Sequence, residues 1–267
     1  MNLKRASLLF FVLFICGCAT VPITGRRQMV FIPASELFSI GIDNYKQILS
    51  QSKISKDREK TEMVRSVGKR IAAAAEDFLI ENNLADKIRY FEWEFNLIED
   101  DKIVNAFCLP GGKIAVYTGI LPYTEDEAGL AVVMAHEVAH ALANHGGERM
   151  SQLLVAQFGA NVLSQAISTE KEKTRQFLML AYGVGMNLGV VLPYSRMHEK
   201  EADHIGLIVM ARAGYDPRVA VRFWEKMNTS GQRVPEFLST HPAPETRIEE
   251  IRSELPEALS YYEKQSN

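Results

Sequence analysis

Residues 132–148 read VVMAHEVAHALANHGGE. An α-helix turns about 100° per residue, so His136 and His140 lie one turn apart on a single face. Two imidazoles so placed can hold one zinc ion, with Zn–N bonds of ~2.0–2.1 Å. Glu137 points about a quarter turn away from that pair. It is near enough to act as a base and turned too far to become a ligand with ease, which is the spacing behind the H-E-x-x-H pattern. Ala131, Val132, Val133, Met134, Ala135, Val138, Ala139 and Ala141 make the helix apolar enough to bury. Buried polar groups need partners, and a metal supplies one.

Two histidines leave such a site incomplete. His145 follows His136 by nine residues and leaves the opposite side of the helix, so it reads as an end-of-helix residue or a partner behind a ligand. The better source is HEKEADHIG, residues 198–206, where Glu199 and Asp203 share one helical face. Glu199 can be the third ligand. Asp203 can accept the outer N–H of a zinc-bound histidine and fix its tautomer. Glu201 is rotated by about 200° from Glu199 and reads as a salt-bridge residue. Tyr194, Arg196 and His198 flank Glu199 and are candidates for stabilising an oxyanion. His241 sits in GQRVPEFLSTHPAPETRI, a proline-containing loop. It either takes the open fourth position of a catalytic zinc and keeps the enzyme latent, or caps the final helix or hydrogen-bonds to a neighbouring helix. One zinc per chain is expected.

The elements that must position these groups are legible from periodicity. SELFSIGIDNYKQIL and KTEMVRSVGKRIAAAAEDFLIENN carry apolar residues at helical spacing. IRYFEWEFNLIED, KIVNAFCL and KIAVYTGIL read as strands, the last two joined by the turn PGG at 110–112. The remainder reads as helices near 125–145, 148–168, 173–190, 194–213, 217–228 and 244–254. FLMLAYGVGMNLGVVLP, residues 177–193, contains Asn187 and falls just short of the ~18–20 residues of a membrane span, so a buried or cleft-lining helix is expected. The fold class is α+β and mostly helical, with a small antiparallel sheet of about three strands beside the zinc helix.

The first 17 residues read as a lipoprotein-type signal peptide: Lys4 and Arg5 precede the apolar run ASLLFFVLFI, which ends in ICGC. Cys18 is then the lipidated mature N-terminus, residues 18–35 a tether, and residues 36–267 a single domain. Ala19 favours the periplasmic face of the bacterial outer membrane. Cys108 is left as the only thiol of the mature chain, so no internal disulfide is expected and Cys108 reads as an inert core residue. The net charge of −3 gives no nucleic-acid footprint.

Taken in order, NAFCLPGGKIAVYTGIL, HEVAH, YSRMHEKEAD and STHPAPETRI resemble the gluzincin zinc metallopeptidases of the HtpX, CAAX prenyl protease and Oma group. Similarity to the soluble periplasmic BepA- and LoiP-like members is closest. The resemblance implies a zincin-like catalytic domain and an endopeptidase with His136, His140 and Glu199 as ligands, Glu137 as base and Asp203 behind a ligand. It also implies that GGKIAVYTG lies beside the cleft, where an extended substrate can add by main-chain hydrogen bonds. Misfolded or misassembled cell-envelope proteins are the expected substrates. The alternative is a chaperone-like assembly factor at the outer membrane whose zinc is structural. Glu137 discriminates, because a structural site has no use for a carboxylate that is not a ligand.

Overall fold

The structure is a computed structural model and describes residues 18–22, 24–158, 195–228, 236–241 and 246–265. A short hairpin, β1 (Cys18–Thr20) and β2 (Arg27–Met29), opens the chain. Helices α1 (Ala34–Gln51) and α2 (Arg58–Glu81) follow, α2 capped by Asp57 accepting from the Lys60 N–H. Next come strands β3 (Glu94–Ile98), β4 (Ala106–Leu109) and β5 (Lys113–Tyr117), then the one-turn helix α3 (Leu121–Thr124). The remaining helices are α4 (Glu127–Leu142), α5 (His145–Phe158), α6 (Arg196–Arg212), α7 (Val219–Asn228), α8 (Glu236–Thr240) and α9 (Arg247–Gln265). The helix expected over 173–190, including the apolar run 177–193, lies outside the described residues. Among the described residues no helix is long and apolar enough to cross a membrane.

The three expected strands form one sheet, ordered β3-β5-β4. The β4–β5 pair is antiparallel as expected, with Cys108 opposite Ile114. The turn between them places Gly111 at φ +89° and Gly112 at φ +71°, left-handed conformations that glycine adopts without strain. The fully antiparallel sheet expected from sequence is corrected at β3, which runs parallel to β5, with Phe95 opposite Ile114. The seven-residue connection from Ile98 to Ala106 is long enough to carry the chain across β5 and bring it back on the other side.

This sheet is buried on both faces. Ala106, Cys108, Ile114 and Val116 pack into a core with α2, α4, α6 and α7, while Phe107, Leu109 and Ala115 pack on the opposite side with Leu37, Tyr45, Met150 and Leu154. Successive strand residues point to opposite faces, so a strand covered on both sides reads as a continuous apolar run, as NAFCL does. The long helices α4 and α6 pack directly on one another, with α2 against α4 and α9 against α6. Where the sequence reads a tether, residues 18–35 carry the β1–β2 hairpin, and Val21, Gln28 and Ile32 are buried.

Candidate metal centre

Helix α4 begins at Asp126, whose side chain accepts from the Gly129 N–H at 2.8 Å. From there it is buried along nearly its whole length, so His136, Glu137 and His140 are only 2%, 4% and 1% exposed. Helix α6 crosses it, capped by Ser195 accepting from the His198 N–H. Gly206 permits the close crossing: a Cβ there would stand 3.2 Å from the His136 backbone nitrogen. The crossing brings Glu199 and Asp203 to the two histidines. His241, just past the end of α8, completes the group.

One ligating atom from each of His136, His140, Glu199 and His241 lies within 4.8 Å of the others. His136 Nε2 is 3.1 Å from His140 Nε2, 3.3 Å from His241 Nδ1 and 3.4 Å from Glu199 Oε2. Glu199 Oε1 is 3.4 Å from His140 Nε2 and 3.2 Å from His241 Nδ1. Bonds of ~2.0–2.1 Å in a tetrahedron put neighbouring ligand atoms about 3.3–3.4 Å apart, so these spacings fit a zinc ion. Three imidazole nitrogens facing each other and a carboxylate also exceed what shared protons can satisfy. Buried Glu199 Oε2 and Glu137 Oε1 make no hydrogen bond of good geometry among the described residues, although Arg247 and His241 each approach to 3.2 Å.

Electrostatics points the same way. Burial raises the Glu199 carboxyl, but His241, His136 and His140 outweigh it and hold it well below the usual range, hence ionised. Burial depresses His140 far below the usual imidazole range, keeping it neutral and able to donate a lone pair. For His136 burial is outweighed by Asp203 and Glu199, which raise it to about 9: this centre attracts positive charge. Burial pushes Glu137 above the ordinary carboxylate range despite His241 and His136, making it a better proton acceptor. Cys108 is a buried free thiol whose pKa burial and the Glu137 field raise well above normal.

Behind the ligands, Asp203 Oδ1 lies 3.0 Å from His136 Nδ1, the position expected for it. Asp203 is itself gripped by Arg247 through two 2.7 Å hydrogen bonds, and the guanidinium lies 3.4 Å over the Trp224 ring. Sequence reasoning quoted the segment holding Arg247 without seeing its role. Nothing local marks it, because Glu249 and Glu250 make the start of its helix charged throughout. His145 stands behind the other ligand, with Nδ1 2.9 Å from His140 Nδ1. His198 is engaged by Glu148 at 3.0 Å and stacks on His145, and Arg196 is exposed. Neither is among the four converging groups, and Tyr194 lies outside the described residues.

Two histidines four apart on a buried helix, a carboxylate from a crossing helix and a second carboxylate beside them are the residue set of a zinc metallopeptidase. Residues 60–255 match the model of peptidase family M48. The chain is 31% identical to the mitochondrial metalloendopeptidase OMA1 of Saccharomyces cerevisiae, over 98% of this chain and 78% of that protein. It is 35% identical to the mitochondrial metalloendopeptidase OMA1 of Schizosaccharomyces pombe, over 89% of this chain and 66% of that protein. To the beta-barrel assembly-enhancing protease of Escherichia coli it is 27% identical, over 88% and 47%. The chain belongs to peptidase family M48 and is a metalloendopeptidase. The mitochondrial relatives overturn the expected localisation at the bacterial outer membrane. That expectation rested on an apolar run and the four residues ICGC, which similarity over almost the whole chain outweighs.

Proposed function

We propose that this endopeptidase cleaves misfolded or misassembled proteins, binding them as extended strands, and that His241 holds the resting enzyme latent. The observation that carries the first part is the outer edge of β4. The strand beside the cleft expected from sequence, β5, has both edges occupied, so it cannot take a substrate. β4 is one of the two edge strands, and the one whose backbone reaches Glu137. Tyr117 donates to the Asn105 carbonyl, so the main-chain groups of Val104, Ala106 and Cys108 point away from β5. The Cys108 N–H bonds toward Glu137, which puts this edge at the site. At present Phe237 donates to the Val104 carbonyl at 2.9 Å, and the Asn105 side chain accepts from the Ala106 N–H at 2.9 Å. An extended peptide replaces both by adding to the edge, reading backbone rather than side chains. Folded proteins seldom offer such a segment, which is why misfolded ones are the substrate class.

His136, His140 and Glu199 would hold the zinc. When bound, zinc supplies a Lewis acid that acidifies water toward a pKa of ~7 and polarises a carbonyl. Glu137 Oε1 takes the proton of the attacking water and passes it to the leaving amine. His241 Nδ1 faces the three ligands while its Nε2 lies 3.2 Å from Glu137 Oε1. One ring would thus take the fourth position beside a bound zinc and occupy the base, so that α8 would have to move for catalysis. A structural zinc in a chaperone-like factor would leave Glu137 without a role. Unfolded casein and a stable folded protein, each offered to the purified chain with and without a chelator, test this reading. Casein should be cut only without chelator, and equal cleavage of the folded protein would refute the substrate class.

A further inference from the structure

The two histidines of the metal centre are braced differently. His136 leans on Asp203 directly, whereas His140 leans on another imidazole, and an imidazole is itself free to rotate unless something fixes it. A relay of hydrogen bonds does so. With His140 Nε2 turned to the ligand cluster, its proton sits on Nδ1 and is donated to His145 Nδ1 at 2.9 Å. His145 must then carry its own proton on Nε2, which it donates to Glu201 Oε2 at 3.1 Å. Glu201 lies on the opposite face of α6 from Glu199 and is buried.

The other end of this relay is on the N-terminal hairpin. The Thr24 hydroxyl donates to Glu201 Oε1, and Arg26 Nε donates to Glu201 Oε2 at 2.7 Å. The same guanidinium donates to both oxygens of Glu148, at 3.0 and 2.7 Å. Glu148 contacts His198, whose ring stacks on His145 with centroids 4.4 Å apart. Arg26 therefore grips both the carboxylate bonded to His145 and the one bonded to the His198 ring stacked on it. We propose that Thr24 and Arg26 are positioning residues for zinc, fixing the orientation and tautomer of His140 through Glu201 and His145, so that docking of the hairpin and metal affinity are coupled. This rests on the zinc reading of the centre. By reciprocity, zinc should also hold the hairpin down.

The test is zinc affinity of the purified full chain, measured by competition with a chromogenic chelator, together with the visible spectrum of the cobalt-loaded protein. Groups that orient a ligand from behind are worth ~10–100-fold in metal affinity. His145→Phe should therefore lose ~10–100-fold, and Arg26→Met, one step further out, about 5–10-fold. Arg26→Lys should fall between wild type and Arg26→Met, because a lysine serves one carboxylate and not two. Thr24→Val keeps the ion pairs and should lose about 2–3-fold; it decides the matter if Arg26→Met does not fold. Each should shift the cobalt spectrum. Arg212→Met removes a more exposed ion pair, with Glu81, about three turns away along α6, and should leave zinc affinity and the cobalt spectrum unchanged. Wild-type affinity and an unshifted cobalt spectrum in Arg26→Met and Thr24→Val would overturn the proposal and make the hairpin merely structural. A wild-type chain that binds no stoichiometric zinc would instead overturn the reading of the centre itself.

Discussion

At the scale of single residues, the ligands and the base should separate cleanly. Two protein ligands hold a zinc ion far more weakly than three, so removing one as His136→Ala, His140→Ala or Glu199→Ala should weaken zinc binding by at least ~100-fold, measurable by atomic emission after dialysis. His241→Ala should do the opposite of damage. Its Nδ1 sits 3.2 Å from Glu199 and its Nε2 3.2 Å from Glu137. If the closed state is favoured by ~1–2 kcal/mol, releasing it raises basal peptidase activity about 5–30-fold. A variant that melts earlier and cleaves no faster would show His241 to be a structural contact. His136, Glu137, His140 and Glu199 were legible in the sequence because one-turn spacing is local. His241 and Arg247 were not fixed by any spacing: both reach the centre through tertiary packing, and a loop histidine carries no periodic signal.

At the scale of elements, the crossing of α4 and α6 sets the geometry of the centre, and Gly206 sets the crossing. The nearest atoms to a Cβ there are main-chain atoms of Ala135 and His136, which cannot swing aside. Gly206→Val should therefore cost about 1–3 kcal/mol by overpacking and, by spreading the helices, also reduce zinc retention. A loss of melting temperature with unchanged zinc affinity would show that the ligands tolerate the shift. Most helices were legible from 3.6-residue spacing. The sheet was legible in strand count but not in direction, since alternation says where a strand is and not which neighbour it takes. The aromatic run at 88–93 read as strand, yet Ala85–Tyr90 forms a 3₁₀ turn and only Glu94–Ile98 joins β5. Phe91 and Trp93 stack on each other outside the ladder, at 4.7 Å.

At the scale of the whole molecule, residues 18–35 turned from an expected tether into part of the body, because Arg26 finds two buried carboxylates that no local pattern reveals. That docking should be sensitive to acid. Burial raises the Glu148 carboxyl, but hydrogen bonds from His198 and Arg26 prevail and hold it at about 2. A carboxyl depressed on folding stabilises fully above its unfolded pKa of about 4.3 and loses that contribution as pH falls toward 2. Glu148→Gln should cost about 2 kcal/mol at pH 7. The gap in urea midpoint between wild type and variant should close as pH drops below ~4, and a gap independent of pH would show that the ion pair contributes little. The account as a whole turns on Glu137 acting as a base beside a zinc it does not bind. The most direct measurement is zinc content and casein hydrolysis on the same preparations of wild type and Glu137→Gln. The expected result is one zinc per chain in both, with the rate constant of the variant lower by ~10²–10⁴-fold. Zinc lost from Glu137→Gln, or zinc kept with hydrolysis near the wild-type rate, would contradict it.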